Sequence, residues 1–215
     1  MTKEEIIQKN KVTASMAVAA ILWYIMFAPL TVGMANFWLE MTVSAIILTT
    51  FAFFIWGRNL ASTIKPAPST VIMGVGIAIV LWITFWVGDR IAGWLLPFER
   101  MQVDAIYAMR SNTPSWLISL LLLLIIGPAE EIFWRGCIQR YFARRRGANT
   151  AFILTTIIYT IIHIPSLNFM LVMAALVCGT IWGGLYRLMP QRLPAIIISH
   201  ALWDAAVFVW FPITA

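Results

Sequence analysis

Long apolar stretches constrain this chain more than any other feature of its sequence. They predict membrane spans over residues 13–34, 36–57, 70–88, 114–134, 148–164, 167–187 and 194–212. A helix of about 20 residues crosses the hydrocarbon of a bilayer and satisfies its backbone groups internally. The predicted fold is therefore all-α, a polytopic transmembrane helical bundle in which residues 1–215 form a single integral-membrane domain.

The composition agrees with a membrane protein. Hydrophobic residues make up 61% of the chain and charged residues 11%, whereas soluble domains have roughly 45–50% and about 25%. The net charge of +6 is compatible with nucleic acid or acidic lipid, but its distribution indicates topology instead, so we expect a lipid bilayer and no nucleic acid as partner. The first apolar stretch is too long for a cleavable signal peptide. We expect an integral, multi-pass protein of a prokaryotic cell membrane.

Basic residues are unevenly distributed between the connections. Twelve of the 15 fall on one side of the predicted bundle, namely Lys3, Lys9, Lys11, Arg58, Lys65, Arg135, Arg140, Arg144, Arg145, Arg146, Arg187 and Arg192. The other side carries three basic residues offset by three acidic ones, namely Arg90, Arg100 and Arg110 with Asp89, Glu99 and Asp104. Cytoplasmic connections carry the excess of Lys and Arg. The N-terminus is therefore predicted to be cytoplasmic and the C-terminus external.

The segment 89–113 is too polar to cross a membrane. Its apolar residues Phe98, Met101, Ala105 and Ala108 recur at helical spacing. This pattern predicts a helix that lies at the external membrane interface.

Two pairs of small residues are expected to serve packing. Gly179 and Gly183 form a GxxxG pattern on the sixth span, which favours close approach of a neighbouring helix. Cys137 and Cys178 lie in or beside helices and form no disulfide framework.

Five ionisable residues fall within three of the apolar stretches, namely Glu130, Glu131, His163, His200 and Asp204. Each such group at membrane depth costs at least ~2.5–3.5 kcal/mol, so it faces the bundle interior and usually marks function. Residues four apart share one face of a helix, a spacing found in the pairs Glu131 and Arg135, Tyr159 and His163, and His200 and Asp204. We therefore expect the fourth, fifth and seventh spans to turn these polar faces toward one another.

The two neighbouring glutamates are expected to differ in role. Glu131 can form an ion pair with Arg135, which lowers the cost of burial. Glu130 is rotated by about 100° around the helix and has no basic residue three or four positions away, so it is available as a general base or acid. Pro128 removes one helix hydrogen bond just before the pair. This opens the helix for water or substrate, or is an ordinary proline kink.

A carboxylate and two imidazoles suit the activation of water. The carboxylate takes a proton from water, and the imidazoles orient the water or stabilise the oxyanion of an attacked amide. The same side chains are also zinc ligands, although the sequence contains no HExxH, GxSxG or GxGD motif. Two other classes fit these residues: a proton-coupled transporter with Glu130, His163 and Asp204 as a relay, and a non-catalytic scaffold or immunity protein.

Three motifs follow one another on these spans. Residues 130–135 read EExxxR, residues 159–163 read YxxxH, and residues 200–204 read HxxxD. In this order and spacing they resemble the CPBP (Abi) family of intramembrane endopeptidases, which includes CAAX prenyl proteases and bacteriocin-processing and immunity enzymes. The resemblance covers roughly residues 114–210, a predicted four-helix catalytic core.

The resemblance implies an intramembrane, CAAX-type endopeptidase that hydrolyses a peptide bond of a membrane-associated, prenylated or otherwise hydrophobic substrate. Glu130 would activate water with help from His163, and His200 with residue 204 would stabilise the oxyanion. The candidate catalytic residues are Glu130, Glu131, His163, His200 and Asp204, with Arg135 and Tyr159 in support. No metal or other cofactor is favoured. The alternative is zinc, held by Glu130, His163, His200 and Asp204.

Two residues depart from the family's pattern. Tyr159 replaces a phenylalanine and adds a hydroxyl that can reach the site. Asp204 replaces the asparagine of eukaryotic-type CAAX proteases, and an ionised carboxylate cannot donate to an oxyanion. Asp204 must therefore be protonated, orient His200 or bind a metal.

The predicted site also raises a question of depth. Counted along the helices from the nearest basic connection, Glu130 and His163 lie roughly 20–25 Å away but His200 only about 10 Å. The three can meet if the helices tilt or if the connection before the seventh span is recessed in the bundle. We expect them to meet in one site that is accessible from the cytoplasm.

Overall fold

The computed structural model describes residues 2–110 and 113–213, and these contain helices but no strand. Within these two ranges, seven helices are long and apolar enough to cross a membrane: α1 Lys3–Phe27, α2 Phe37–Trp56, α4 Pro68–Leu95, α6 Ser115–Arg146, α7 Ala148–Ser166, α8 Phe169–Leu188 and α9 Pro190–Trp210. Two further helices are shorter, α3 Arg58–Ala61 and α5 Glu99–Ala108. The prediction of a polytopic helical bundle with about seven spans is confirmed.

The helix ends differ from the predicted spans where polar residues continue a helix. Helix α1 begins at Lys3 rather than near residue 13, because the hydroxyl of Thr2 accepts from the Glu5 backbone N–H at 3.2 Å and the Glu5 carboxylate accepts from the Thr2 N–H at 2.9 Å. This reciprocal cap starts a helix ahead of its apolar part. Helix α6 likewise continues past residue 134 to Arg146.

Helix α9 is the central element of the bundle, packed between α4 and α6 at two glycines. A methyl group on Gly74 of α4 would lie 2.8 Å from Cβ of Ile198. A methyl group on Gly127 of α6 would lie 2.7 Å from Cα of Ala201. Both distances are too short for a side chain, so only glycine allows these helices to approach so closely.

The connection between α8 and α9 is recessed in the bundle. Leu193, near the start of α9, is buried. A methyl group on Gly136 would lie 3.3 Å from the Leu193 side chain. The start of α9 therefore lies at the level of Gly136, the residue that follows Arg135 in α6. This recessed start brings His200 to the level of the glutamates and answers the question of depth that the sequence leaves open.

The smaller packing predictions also hold. Gly179 faces Thr156 and Gly183 faces Phe152, with distances of 3.3 and 3.2 Å from an added methyl group, so the GxxxG pattern packs α8 against α7. Cys137 and Cys178 are buried and free.

A helix is present where one is predicted between the third and fourth spans. Helix α5 lies across one end of the bundle, where the side-chain amide of Asn168 donates to the Gln102 carbonyl at 2.8 Å. The Tyr107 hydroxyl donates to the Val207 carbonyl at 3.2 Å. Residues 111 and 112 of the predicted interfacial segment lie outside the described residues.

Candidate active site

Helix α6 departs from regular α geometry on both sides of the two glutamates. The segments Leu122–Ile126 and Trp134–Gln139 are π-helical, and Gly127–Phe133 between them is α-helical. Pro128 has no N–H to donate, so the regular hydrogen-bond ladder cannot continue through it. Single π-helical turns within α-helices frequently occur at functional sites. The irregular stretch places Glu130 and Glu131 in the bundle interior, where both are buried.

Glu131 forms the predicted ion pair and a second contact that the sequence does not predict. Its Oε1 accepts from Nη1 of Arg135 at 2.8 Å and lies 2.8 Å from Nδ1 of His200. Glu131 is fully buried, with an exposure of 0%. One carboxylate oxygen therefore joins α6 to α9 and fixes the orientation of the His200 ring.

His200 lies between two carboxylates. Its Nδ1 faces Glu131, and its Nε2 is 3.4 Å from Oδ2 of Asp204. Trp182 stacks on the ring with a centroid distance of 3.8 Å and an interplanar angle of 21°. A protonated imidazole donates from both nitrogens, so this arrangement suits a positively charged ring. The contact with Glu131 at 2.8 Å is the shorter of the two and holds the ring, and Asp204 is near Nε2 at a longer distance.

Glu130 contacts Tyr159 rather than a histidine. Its Oε2 accepts from the Tyr159 hydroxyl at 3.0 Å. The extra hydroxyl of the YxxxH motif therefore reaches the site, as predicted. Glu130 and Glu131 point to different partners, as their rotation around the helix predicts.

His163 has both ring nitrogens engaged. Nδ1 is 2.7 Å from the Tyr159 carbonyl oxygen, which only accepts, so Nδ1 carries the proton. Nε2 accepts from the indole N–H of Trp23 at 3.1 Å. Sequence reasoning missed Trp23, because a tryptophan in an apolar span has no spacing relation to a motif on another helix.

One cavity of about 500 Å³ joins the candidate residues. Its lining includes five of them, namely Glu130, Tyr159, His163, His200 and Asp204. Glu131 and Arg135 are not among the lining residues and act on the cavity through side chains that are: Glu131 contacts His200, and Arg135 lies over the Tyr159 ring at 5.1 Å. Side chains from the fourth, fifth and seventh predicted spans therefore line one cavity.

The cavity lies toward one end of the bundle. Its walls include the end of α1 at Phe27, the start of α2 at Trp38, the end of α4 at Leu95 and the start of α8 at Phe169. These helix ends are opposite the connections that carry most of the basic residues. A cytoplasmic N-terminus and a site open to the cytoplasm therefore cannot both hold, and one of these two predictions is wrong.

The donor set does not fit a zinc site in this arrangement. In the described ranges 2–110 and 113–213, no three His, Cys, Asp or Glu side chains converge as metal ligands. Both nitrogens of His163 are hydrogen-bonded, and both nitrogens of His200 face carboxylates. Zinc needs a free nitrogen lone pair from each histidine that binds it.

Residues 112–206 match the family model described as type II CAAX prenyl endopeptidase Rce1-like. The matched segment contains the EExxxR, YxxxH and HxxxD motifs. No curated protein and no solved structure matches the chain. The resemblance that the three motifs predict is confirmed, while Trp23 and helices α1 to α5 lie outside the matched segment.

Proposed function

We propose that this chain, whose residues 112–206 match the family model of type II CAAX prenyl endopeptidases, is an intramembrane endopeptidase in which Glu130 activates water. The observation that carries this proposal is the position of Glu130, a buried carboxylate in the wall of a largely apolar cavity. Tyr159 holds Oε2 of this carboxylate. This leaves Oε1 to accept a proton from water.

The proposed reaction needs no group that the chain lacks. Glu130 takes a proton from water, and the resulting hydroxide forms a bond to the carbonyl carbon of the substrate. The carbonyl electron pair moves to oxygen, and the tetrahedral oxyanion then collapses as the C–N bond breaks. Glu130 returns its proton to the departing amine nitrogen, which completes the cycle of a general base and acid.

His200 is the proposed donor to the oxyanion. Glu131 contacts Nδ1 of the ring and so fixes the direction of Nε2. Nε2 lies 3.4 Å from Oδ2 of Asp204. This distance exceeds the usual range of about 2.7–3.2 Å, so Asp204 is a weak competitor for the Nε2 proton. A fixed donor of this kind stabilises the developing charge at little cost in reorganisation.

The substrate is proposed to be apolar. The cavity wall contains aromatic residues from several helices, among them Phe27, Trp38, Phe85 and Trp203. Pockets lined in this way gain affinity from burying apolar surface. Prenylated peptides and unprenylated hydrophobic segments both have that property.

The test is peptide cleavage by the purified protein in detergent. Two quenched fluorescent peptides are compared, one ending in a farnesylated CAAX sequence and one apolar without a prenyl group. Glu130→Gln keeps the side-chain shape but removes the base, so cleavage should fall by about 10²–10⁴-fold. If mass spectrometry detects no product of either peptide with the parent protein, the proposal is wrong.

A further inference from the structure

We infer that the candidate active site opens on the non-cytoplasmic side of the membrane and takes a polypeptide segment exposed there. The side of opening does not depend on catalysis. That this segment is also cleaved, as a substrate, rests on the proposed function.

Most of the cavity lining comes from the half of each spanning helix nearest one end of the bundle, although Trp182 lies beyond the midpoint of α8. Helices α1, α4 and α9 reach it with their later residues, as Phe27, Ala92 and Val207 show. Helices α2 and α8 reach it with their first residues, such as Trp38 and Phe169. The cavity therefore belongs to the end of the bundle that α5 crosses.

The opposite end carries most of the basic residues, and hydrogen bonds connect the segments that contain them. Arg145 donates to the Glu5 carbonyl at 3.2 Å, which joins the end of α6 to the start of α1. Arg140 donates to the Asn59 carbonyl at 3.1 Å, which joins it to α3. Arg192 donates to the Ser69 hydroxyl at 3.2 Å, next to the start of α4. These contacts confirm that the connections counted together by their charge lie at one end.

The charge difference between the two ends is large. Of the 12 basic residues assigned to the basic end, Arg135 is buried in the site and is left out. That leaves 11 basic residues, against three at the cavity end. Arg100, one of those three, is paired with Asp89 and Glu99, both at 2.9 Å. Because Lys and Arg in short connections set membrane orientation, the basic end is cytoplasmic and the cavity opens away from it.

The cavity lining also bears on the kind of segment that fits. It contains the carboxylates Asp89, Glu130 and Asp204, but no lysine or arginine is among its described lining residues. A free C-terminal carboxylate would meet these carboxylates, while the charged ring of His200 is already shared between Glu131 and Asp204. An internal peptide bond in an apolar stretch, next to a domain outside the cytoplasm, meets no such repulsion.

Cysteine labelling in intact cells tests the side of opening. Ala92→Cys places a thiol in the cavity wall, and Ser62→Cys places a matched thiol on the exposed surface of the basic end. Both variants are made in a background with Cys137→Ala and Cys178→Ala, because both cysteines are free and Cys178 lines the same cavity. The cysteine-free protein is the blank. A membrane-impermeant maleimide should label Ala92→Cys in intact cells and Ser62→Cys only after permeabilisation.

The opposite labelling pattern would overturn the inference, as would failure to label Ala92→Cys from either side. Labelling needs no turnover, so its result is valid whether or not the protein is a peptidase.

A second experiment fuses one apolar cleavage segment to a reporter domain on either side of the membrane. Cleavage should occur only with the reporter outside the cytoplasm and be lost with Glu130→Gln. No cleavage of either fusion counts against the proposed function, and cleavage of the cytoplasmic fusion counts against the inferred side.

Discussion

The indole N–H of Trp23 donates to Nε2 of His163 at 3.1 Å, which joins α1 to the YxxxH motif of the fifth span. Nδ1 of the same ring donates to the Tyr159 carbonyl at 2.7 Å. A neutral imidazole has one donor and one acceptor, and both are used. His163 can therefore assist water at Glu130 only when the bond from Trp23 gives way.

Trp23→Phe should raise the turnover number, because it frees Nε2 of His163 and retains most of the aromatic packing. Trp23 packs edge-on against Trp134 with a centroid distance of 6.4 Å, so an aromatic replacement is needed to keep the fold. The measurement is kcat and KM for an apolar peptide, with KM expected to change less than kcat. A loss of turnover in a stably folded variant would instead show that Trp23 holds His163 in a working position.

Glu130 and Tyr159 should differ widely in their effect on cleavage. Glu130→Ala removes the base and should lower turnover by about 10²–10⁴-fold. Tyr159→Phe removes only the hydroxyl that donates to Glu130 at 3.0 Å. We expect a loss of no more than about tenfold, since a hydrogen bond contributes about 0.5–1.5 kcal/mol. Equal, complete losses would mean that the Tyr159 hydroxyl takes part in proton transfer.

Glu131→Ala should destabilise the protein, because it leaves Arg135 and His200 without their shared carboxylate. Removing one partner of a buried ion pair typically costs about 3–5 kcal/mol. Thermal unfolding in detergent should show a large fall in the midpoint. Glu131→Gln is the matched control, since its side-chain carbonyl still accepts from Arg135. Its unfolding midpoint should lie between those of the parent protein and Glu131→Ala. A stable, inactive Glu131→Ala alongside a fully active Glu130→Ala would reverse the roles assigned to the two glutamates.

The sequence predicts the helical class and the polar faces because those depend on local patterns. Apolar length predicts spans, and the spacing of four residues pairs Glu131 with Arg135 and His200 with Asp204. The contact between Glu131 and His200 joins residues 69 positions apart, and no periodicity within one helix encodes it. It depends on the backbone approach of α6 and α9 at Gly127, which the sequence shows only as an isolated glycine.

The predicted access side conflicts with the predicted orientation of the termini for a similar reason. Counting residues along a helix gives the distance of Glu130 from a connection, but it does not show which end of the bundle holds the empty space. That end is decided by how far each helix extends and by α5, whose Tyr107 bonds to the end of α9. These are tertiary contacts, so the pattern of apolar residues carries no signal for them.

Gly127→Ala tests the approach of α6 to α9. A methyl group would lie 2.7 Å from Cα and 2.8 Å from N of Ala201, where only backbone could move. Overpacking of this kind costs about 1–3 kcal/mol or more, and here it would also separate Glu131 from His200. We expect lower thermal stability and lower activity together. Gly76→Ala is the control, because nothing lies within 4 Å of its added methyl group, and it should behave like the parent. A neutral Gly127→Ala would show that the site does not depend on this contact.

Asp204 separates a metal-free mechanism from a zinc mechanism. In the metal-free mechanism, Asp204→Asn replaces an acceptor 3.4 Å from Nε2 of His200 with an amide that donates to the oxyanion, so turnover should be retained or rise. The ion pair of Glu131 with Arg135 is untouched, and the variant should fold normally. Chelators such as EDTA should leave the parent enzyme active. Under a zinc mechanism, Asp204→Asn would weaken ligation, chelator would inhibit, and elemental analysis would find one zinc per chain. Stoichiometric zinc together with an inactive Asp204→Asn would rule out the metal-free mechanism proposed for Glu130.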